Sequence, residues 1–350
     1  MRSYKSAIAF IVFIFFAFSC KKTETAKTQD LYLVTPGINA LGNKFVIDYW
    51  KDGVKLQLSD GNRSVYPYAI AASGGNVYVA GVDFDSPYTT FNAMYWKNNQ
   101  AVQLSDGVHN ASANAIFVNG TDVYIAGEEE NGIAYIAKYW KNGIATNLTG
   151  GLKHAYASCI TVTGNDVHVA GREFNGTKYM AKYWKNGTAT NLTNGTQDAE
   201  AYSIVVNGTD VYISGREFNG TKYVAKYWKN GVATNLTDGT KDAAAHAIFI
   251  NGTDVFVAGE EGNGTNPDRI AKYWKNGIAT SITAAQNDGT ANAIGVIGND
   301  LYVLTDEKGT GPFGNTYTIK LWKNGVPSVV SNPSFVGRPT IGRFSLFIAE

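Results

Sequence analysis

The sequence predicts an all-β chain: a seven-bladed β-propeller of four-stranded antiparallel blades, its ring closed by pairing the C-terminal strand with the N-terminal blade. Three observations predict it. Seven tryptophans recur in one context, at Trp50, Trp96, Trp140, Trp184, Trp228, Trp274 and Trp322, with spacings of 46, 44, 44, 44, 46 and 48. A fixed period of about 40 to 50 residues marks repeat architecture. Each unit also carries the turn signals of two hairpins, and the two chain ends together supply one unit.

The third unit shows the elements in order. Ala115 to Val118 reads as a short apolar strand, Asn119-Gly120-Thr121-Asp122 as its turn, and Val123 to Ala126 as the next strand, ended by Gly127. Ile133 to Trp140 alternates apolar and polar, Asn142-Gly143 turns the chain, and Ile144 to Thr149 is the fourth strand. A two-residue turn of the favoured hand needs positive φ at both centres, which Asn and Gly adopt at least cost. Asn-Gly recurs at 186, 230, 276 and 324. The first unit has Asp52-Gly53, and the second has Asn98-Asn99, expected to turn less cleanly. Adjacent Tyr and Trp in the third strand point to opposite faces, so each is expected to pack on a neighbouring blade.

The first unit begins at Leu31 to Val34 and lacks an initial strand, whereas Phe344 to Ile348 matches Tyr202 to Val206, the first strand of the fifth unit. Pairing the ends closes the ring and removes the open edges. A monomer is expected.

Val-Tyr-Val-Ala-Gly at 77 to 81 and Tyr-Trp-Lys-Asn-Gly at 139 to 143 resemble bacterial β-propeller repeats of the kelch-like or SBBP-like kind, over residues 30 to 350. The resemblance implies the architecture and brings no catalytic residue. At the N-terminus, Arg2 and Lys5 precede twelve apolar residues, Ala7 to Phe18, and then Ser19-Cys20. Twelve residues are too few to span a bilayer, which takes roughly 20, and the pattern is that of an export signal. The end of the run resembles the lipobox of bacterial lipoproteins. That implies a signal peptide over 1–19, acylation of Cys20, a flexible tether over 20–29 and a propeller over 30–350. The expected location is the cell envelope at the outer membrane, with membrane contact through the lipid alone.

Cys159 is then the one thiol inside the fold, so no disulfide framework is expected. Loss of Arg2 and Lys5 from the 30 basic residues leaves 28 against 29 acidic ones, a balance that makes nucleic acid a poor partner. No cofactor and no metal is expected.

Two residues after the small residue that ends the second strand comes an acid in six units: Asp83, Glu129, Glu173, Glu217, Glu261 and Glu307. They would form a partial ring on one rim, able to hold a cation or a basic partner. The alternative is local surface pairing with Lys138, Lys182, Lys226, Lys272 and Lys320, or with Arg172 and Arg216, which precede two of the glutamates. His109, His154, His168 and His246 occupy different repeat positions, which excludes a symmetric metal site. Three of them are expected near fourth-to-first connections, with His154 and His246 the conceivable cluster. Asp122, Asp166, Asp210, Asp254 and Asp300 read as turn residues bonding nearby backbone.

Residues 171–199 and 215–243 differ at four of 29 positions. Copied blades supply equivalent surfaces rather than a single catalytic constellation. The expectation is therefore a non-catalytic envelope binding or scaffold protein. It would recognise a glycan or an envelope protein through repeated rim loops, using the six acids, Arg172, Arg216 and His246. One alternative is a polysaccharide lyase or hydrolase recruiting Glu128-Glu129 or Glu260-Glu261. The other is a structural envelope module without a small ligand.

Overall fold

The computed structural model describes residues 30–331 and 345–349, apart from 40, 42–43, 85–89, 265–268, 285–287 and 312–313. The signal peptide, Cys20, the tether, Phe344 and the rim residues 265–268 lie outside the described residues. Within them the chain forms seven four-stranded antiparallel sheets and no helix. Blade 1 combines Asp30–Gln57 with Ser345–Ala349. Blades 2 to 7 occupy 64–103, 111–147, 155–191, 199–235, 243–281 and 289–331 in turn.

First strands pack beside first strands around the ring. Ala111–Asn119 lies between Ser64–Ser73 and Ala155–Thr163, and the pattern continues through Ala199–Asn207, Ala243–Asn251 and Gly289–Ile297. These strands therefore line the centre, while the fourth strands of blades 3 to 6 are exposed along their whole length. Ring closure follows the expected complement. Leu31 pairs with Ile348 and Leu33 with Leu346, and Ser345–Ala349 packs beside the first strands of blades 2 and 7.

The third strand works as its alternation requires. Trp140 is buried among Ala80, Ala93 and Ile116, between blades 2 and 3. Tyr139 packs with Ala157 and Val169, between blades 3 and 4. Each buried indole contributes on the order of 3 kcal/mol, repeated around the ring. The hairpin turn has Asn142 at φ 52° and Gly143 at φ 83°. Asn142 Oδ1 accepts from the Val123 N–H at 2.8 Å, and its Nδ2 donates to Asp122 at 2.8 Å. Asp122 also pairs with Lys141 at 2.9 Å. The aspartate thus ties side chains of the neighbouring hairpin, not the backbone expected from sequence. In blade 2 Asn98 has positive φ and Asn99 does not.

First strands run longer than sequence predicts, starting at Ala111 rather than Ala115 in blade 3. A bulge hides the continuation. Register shifts between Ala113 and Ala115, and at the equivalent place in blades 2 and 4 to 7, so that one extra residue stands out of the ladder. That residue is Tyr68, Asn114, Ser158, Tyr202, His246 or Asn292. Such a bulge re-aims a side chain. In blades 2 to 6 a glycine stands opposite it, where a Cβ has no room: on Gly215 it would sit 2.0 Å from the Glu200 carbonyl oxygen and 3.0 Å from the Trp228 ring. Blade 7 has Thr305 at this position, and the Trp322 indole donates to its hydroxyl at 2.9 Å.

Candidate functional site

The six predicted acids do lie one to a blade, near the ends of the second strands. Each faces a cation of its own blade or of the segment leading into it. Glu173 meets Lys182 at 2.7 Å, Glu307 meets Lys320 at 2.8 Å and Asp83 meets Arg63 at 2.8 Å. Glu129, Glu217 and Glu261 pair likewise with Lys138, Lys226 and Lys272. The pairs of blades 3 to 5 are not exposed surface pairs, since Lys138, Lys182 and Lys226 are buried, whereas Arg63 is exposed. Among the described residues no group of three or more His, Cys, Asp or Glu is placed to hold a metal.

Between this rim and the ring's centre, the repeat breaks down. The bulge position carries Tyr68, Asn114, Ser158, Tyr202, His246 and Asn292 in blades 2 to 7. The facing position of the second strand carries Val82, Glu128, Arg172, Arg216, Glu260 and Asp306, paired in register with Tyr66, Ser112, Tyr156, Glu200, Ala244 and Thr290. Three adjacent columns of unlike residues form a collar at the inner strands. Blades 4 to 6 hold its charged core.

Glu200 of blade 5 bridges two blades. Its Oε1 lies 2.6 Å from Arg172 Nη1 of blade 4 and 3.2 Å from Arg216 Nη2 of its own blade, and its Oε2 accepts from the Tyr202 hydroxyl at 2.8 Å. Both guanidiniums lie over aromatic rings. Arg172 stands 4.8 Å from the Tyr156 centroid and 4.6 Å from that of Tyr179, and Arg216 stands 5.8 Å from Tyr202 and 4.1 Å from Tyr223. Stacking of this kind fixes the plane of a guanidinium and its donor directions. Burial acts against ionisation of Glu200, but Arg216 and Arg172 outweigh it and hold the carboxyl below its ordinary range. Burial, reinforced by the Glu200 charge, pushes the Tyr202 hydroxyl well above its usual range and keeps it a neutral donor.

Blade 6 inverts the arrangement. Glu260 replaces the second-strand arginine and Arg269 replaces the tyrosine, and the two meet at 3.0 Å. Glu260 also bonds His246 Nε2, and the His246 ring packs on Tyr202 with centroids 5.3 Å apart. His246 is therefore a buried inner-strand residue at a bulge, 6% exposed, rather than a member of a rim connection. His154 is separate from it and accepts from the Tyr135 N–H at 3.1 Å. His168 is buried beside the Tyr183 hydroxyl at 2.6 Å, and His109 is the one in an exposed loop, against Asp106. Two polar nitrogens in the collar lack partners: the Arg216 Nε donor and His246 Nδ1 are buried with no hydrogen-bond partner.

Of the nine sequence-predicted site residues, the structure gathers Arg172, Arg216 and His246 into one cluster and distributes the six acids around the rim. Sequence reasoning missed Tyr156, Glu200, Tyr202, Glu260 and Arg269. The signal was present in the aligned repeats as columns in which the residue type changes from blade to blade.

No protein-family model matches the chain, and no curated protein does. Solved structures match by fold. A puromycin-hydrolyzing peptidase of Mycobacterium tuberculosis is 10% identical with a TM-score of 0.58, covering 85% of this chain and 53% of its own. The acylaminoacyl peptidase of Pyrococcus horikoshii is 13% identical with a TM-score of 0.54, over 87% of this chain and 51% of its own. The β-propeller domain of the Trilobed protease from Pyrococcus furiosus, described as having an open velcro topology, is 9% identical with a TM-score of 0.51, over 87% and 93%. The chain spans about half the length of the two full peptidases it matches. At this identity the likeness shows the fold. The expectation of a non-catalytic envelope scaffold reading a glycan or protein through repeated rim loops is corrected here. The neighbours are propellers of peptidases, and the repeated rim acids are engaged in ion pairs.

Proposed function

We propose that this propeller works with a peptidase, receiving a peptide segment at the collar of blades 4 to 6 while bond cleavage belongs to a separate catalytic part. One observation carries the reading: in a ring of copied blades, unlike charged and aromatic residues concentrate at the inner strands. Fold alone does not supply function, which resides in the site. Here the site offers three arginines, two of them set between tyrosine rings, and a buried donor without a partner, Arg216 Nε. An extended peptide presents carbonyl and carboxylate acceptors to such groups. In two of the similar structures a propeller of this kind makes up about half of a peptidase, which supports the association. The leader and Cys20 would place this activity at the cell envelope.

The test is fluorescence anisotropy with a labelled pool of unstructured ten-residue peptides. Arg216→Met should weaken binding at least tenfold, with the melting temperature within a few degrees of the parent. An absence of saturable binding by the parent at millimolar peptide overturns the reading.

A further inference from the structure

We infer that Glu200 is a resident stand-in for a carboxylate carried by the bound peptide, and that this carboxylate takes its place between Arg172 and Arg216. The inference rests on the peptide-binding reading above and names the group that the collar selects. Among the described residues, Glu200 is the one carboxylate in contact with both guanidiniums, and both contacts fall on the same oxygen, Oε1. Two guanidiniums carry about ten N–H donors, far more than one carboxylate with an oxygen already accepting from Tyr202 can satisfy. Arg216 Nε is buried without any partner. The nearby aspartates do not make up the difference, because Asp198 is paired with Lys178 and Asp242 with Lys222.

The geometry suits exchange. Arg172 and Arg216 come from adjacent blades and stack on Tyr156, Tyr179 and Tyr223, while Tyr202 is the tyrosine tied to Glu200, so their donor planes persist when that carboxylate moves aside. Their side chains remain 29% and 21% exposed, which leaves an approach for a ligand. Planar, bidentate recognition of carboxylate is what paired guanidiniums do best. His246 lies next to Tyr202 with its Nδ1 buried and unpartnered, a second unfilled position on the same side of the collar. The copies separate scaffold from site here. Blades 4 and 5 share the arginine column, Arg172 and Arg216, whereas the position of Glu200 is Tyr156 in blade 4 and Ala244 in blade 6.

Glu200→Gln keeps the shape and removes the competing charge, so it tests the exchange as a gain. Three acetylated hexapeptides of neutral composition serve as probes: one with a free C-terminus, the same one amidated, and an amidated one with an internal Asp. The parent and Glu200→Gln are compared by titration calorimetry. Glu200→Gln should bind carboxylated probes about tenfold more tightly than the parent and leave the amidated neutral probe unchanged. Whether the free C-terminus or the internal Asp gains identifies the source of the carboxylate. Arg172→Met, measured in the otherwise unaltered chain, should reduce the carboxylated probes to the affinity of the amidated one, which covers the case of a poorly folded Glu200→Gln. If all three probes bind alike in the parent and in both variants, the inference falls and the peptide-binding reading stands. If none binds to any protein, both fall.

Discussion

The rim and the collar of this propeller lie a few residues apart on the same strands, yet they use charge in opposite ways. On the rim, acid and lysine recur at fixed repeat positions, and Glu173–Lys182, Glu217–Lys226 and Glu261–Lys272 are the same pair three times over. In the collar, the facing position reads Glu128, Arg172, Arg216, Glu260 and Asp306, and two contacts, Arg172 with Glu200 and Tyr202 with His246, cross from blade to blade. What is copied holds each blade together, and what differs marks where the ring does something once.

The largest expected effect lies on the rim. Lys226→Met would leave Glu217 largely buried without its cation and cost about 2 kcal/mol by chemical denaturation, because breaking a buried pair is worse than lacking one. Combining it with Glu217→Gln should recover most of that loss, and peptide affinity should be unaltered in either protein. A rim variant that folds fully but loses binding would erase the distinction drawn above.

A smaller effect follows from Glu200. Its folded-state carboxyl titrates below the unfolded value near 4.5. Its contribution is therefore fully present above that value and disappears as pH falls through the lower folded-state pKa. The stability advantage of the parent over Glu200→Gln should thus hold from pH 7 to about 5 and shrink below pH 4.5, measured as the difference in denaturation midpoints. An advantage that grows on acidification would contradict the bridging role.

Much of the fold was legible in the sequence because it is written seven times. Tryptophan spacing, Asn-Gly turns and the split first unit need no tertiary information, and the hairpin turns at Asn142-Gly143 and its copies adopt the positive φ that those residues permit. The first-strand boundaries were not legible. The bulge before Ala115, Cys159 and Ser203 interrupts the period-2 pattern, so Ala111–Ala113 and its equivalents read as loop. The collar was missed for the same reason. Tyr202 and His246 stand at those bulges, where alternation assigns them to no face. Glu200 has no counterpart in the other copies, so reading for repetition passed over it. Arg172 and Arg216 were noticed only as neighbours of the rim glutamates, whereas the alternation of a strand sends them to the opposite face, toward Glu200.

The most direct test removes the guanidiniums of the collar and leaves the rim whole. Arg172→Met, Arg216→Met and Glu200→Gln together take away the two donors and the carboxylate that pairs with them. Peptide anisotropy is then compared with that of the Lys226→Met, Glu217→Gln rim variant. A folded collar variant that no longer binds peptide, beside a rim variant that binds as the parent does, is the predicted result. Peptide binding retained by the collar variant and lost by the rim variant would contradict it.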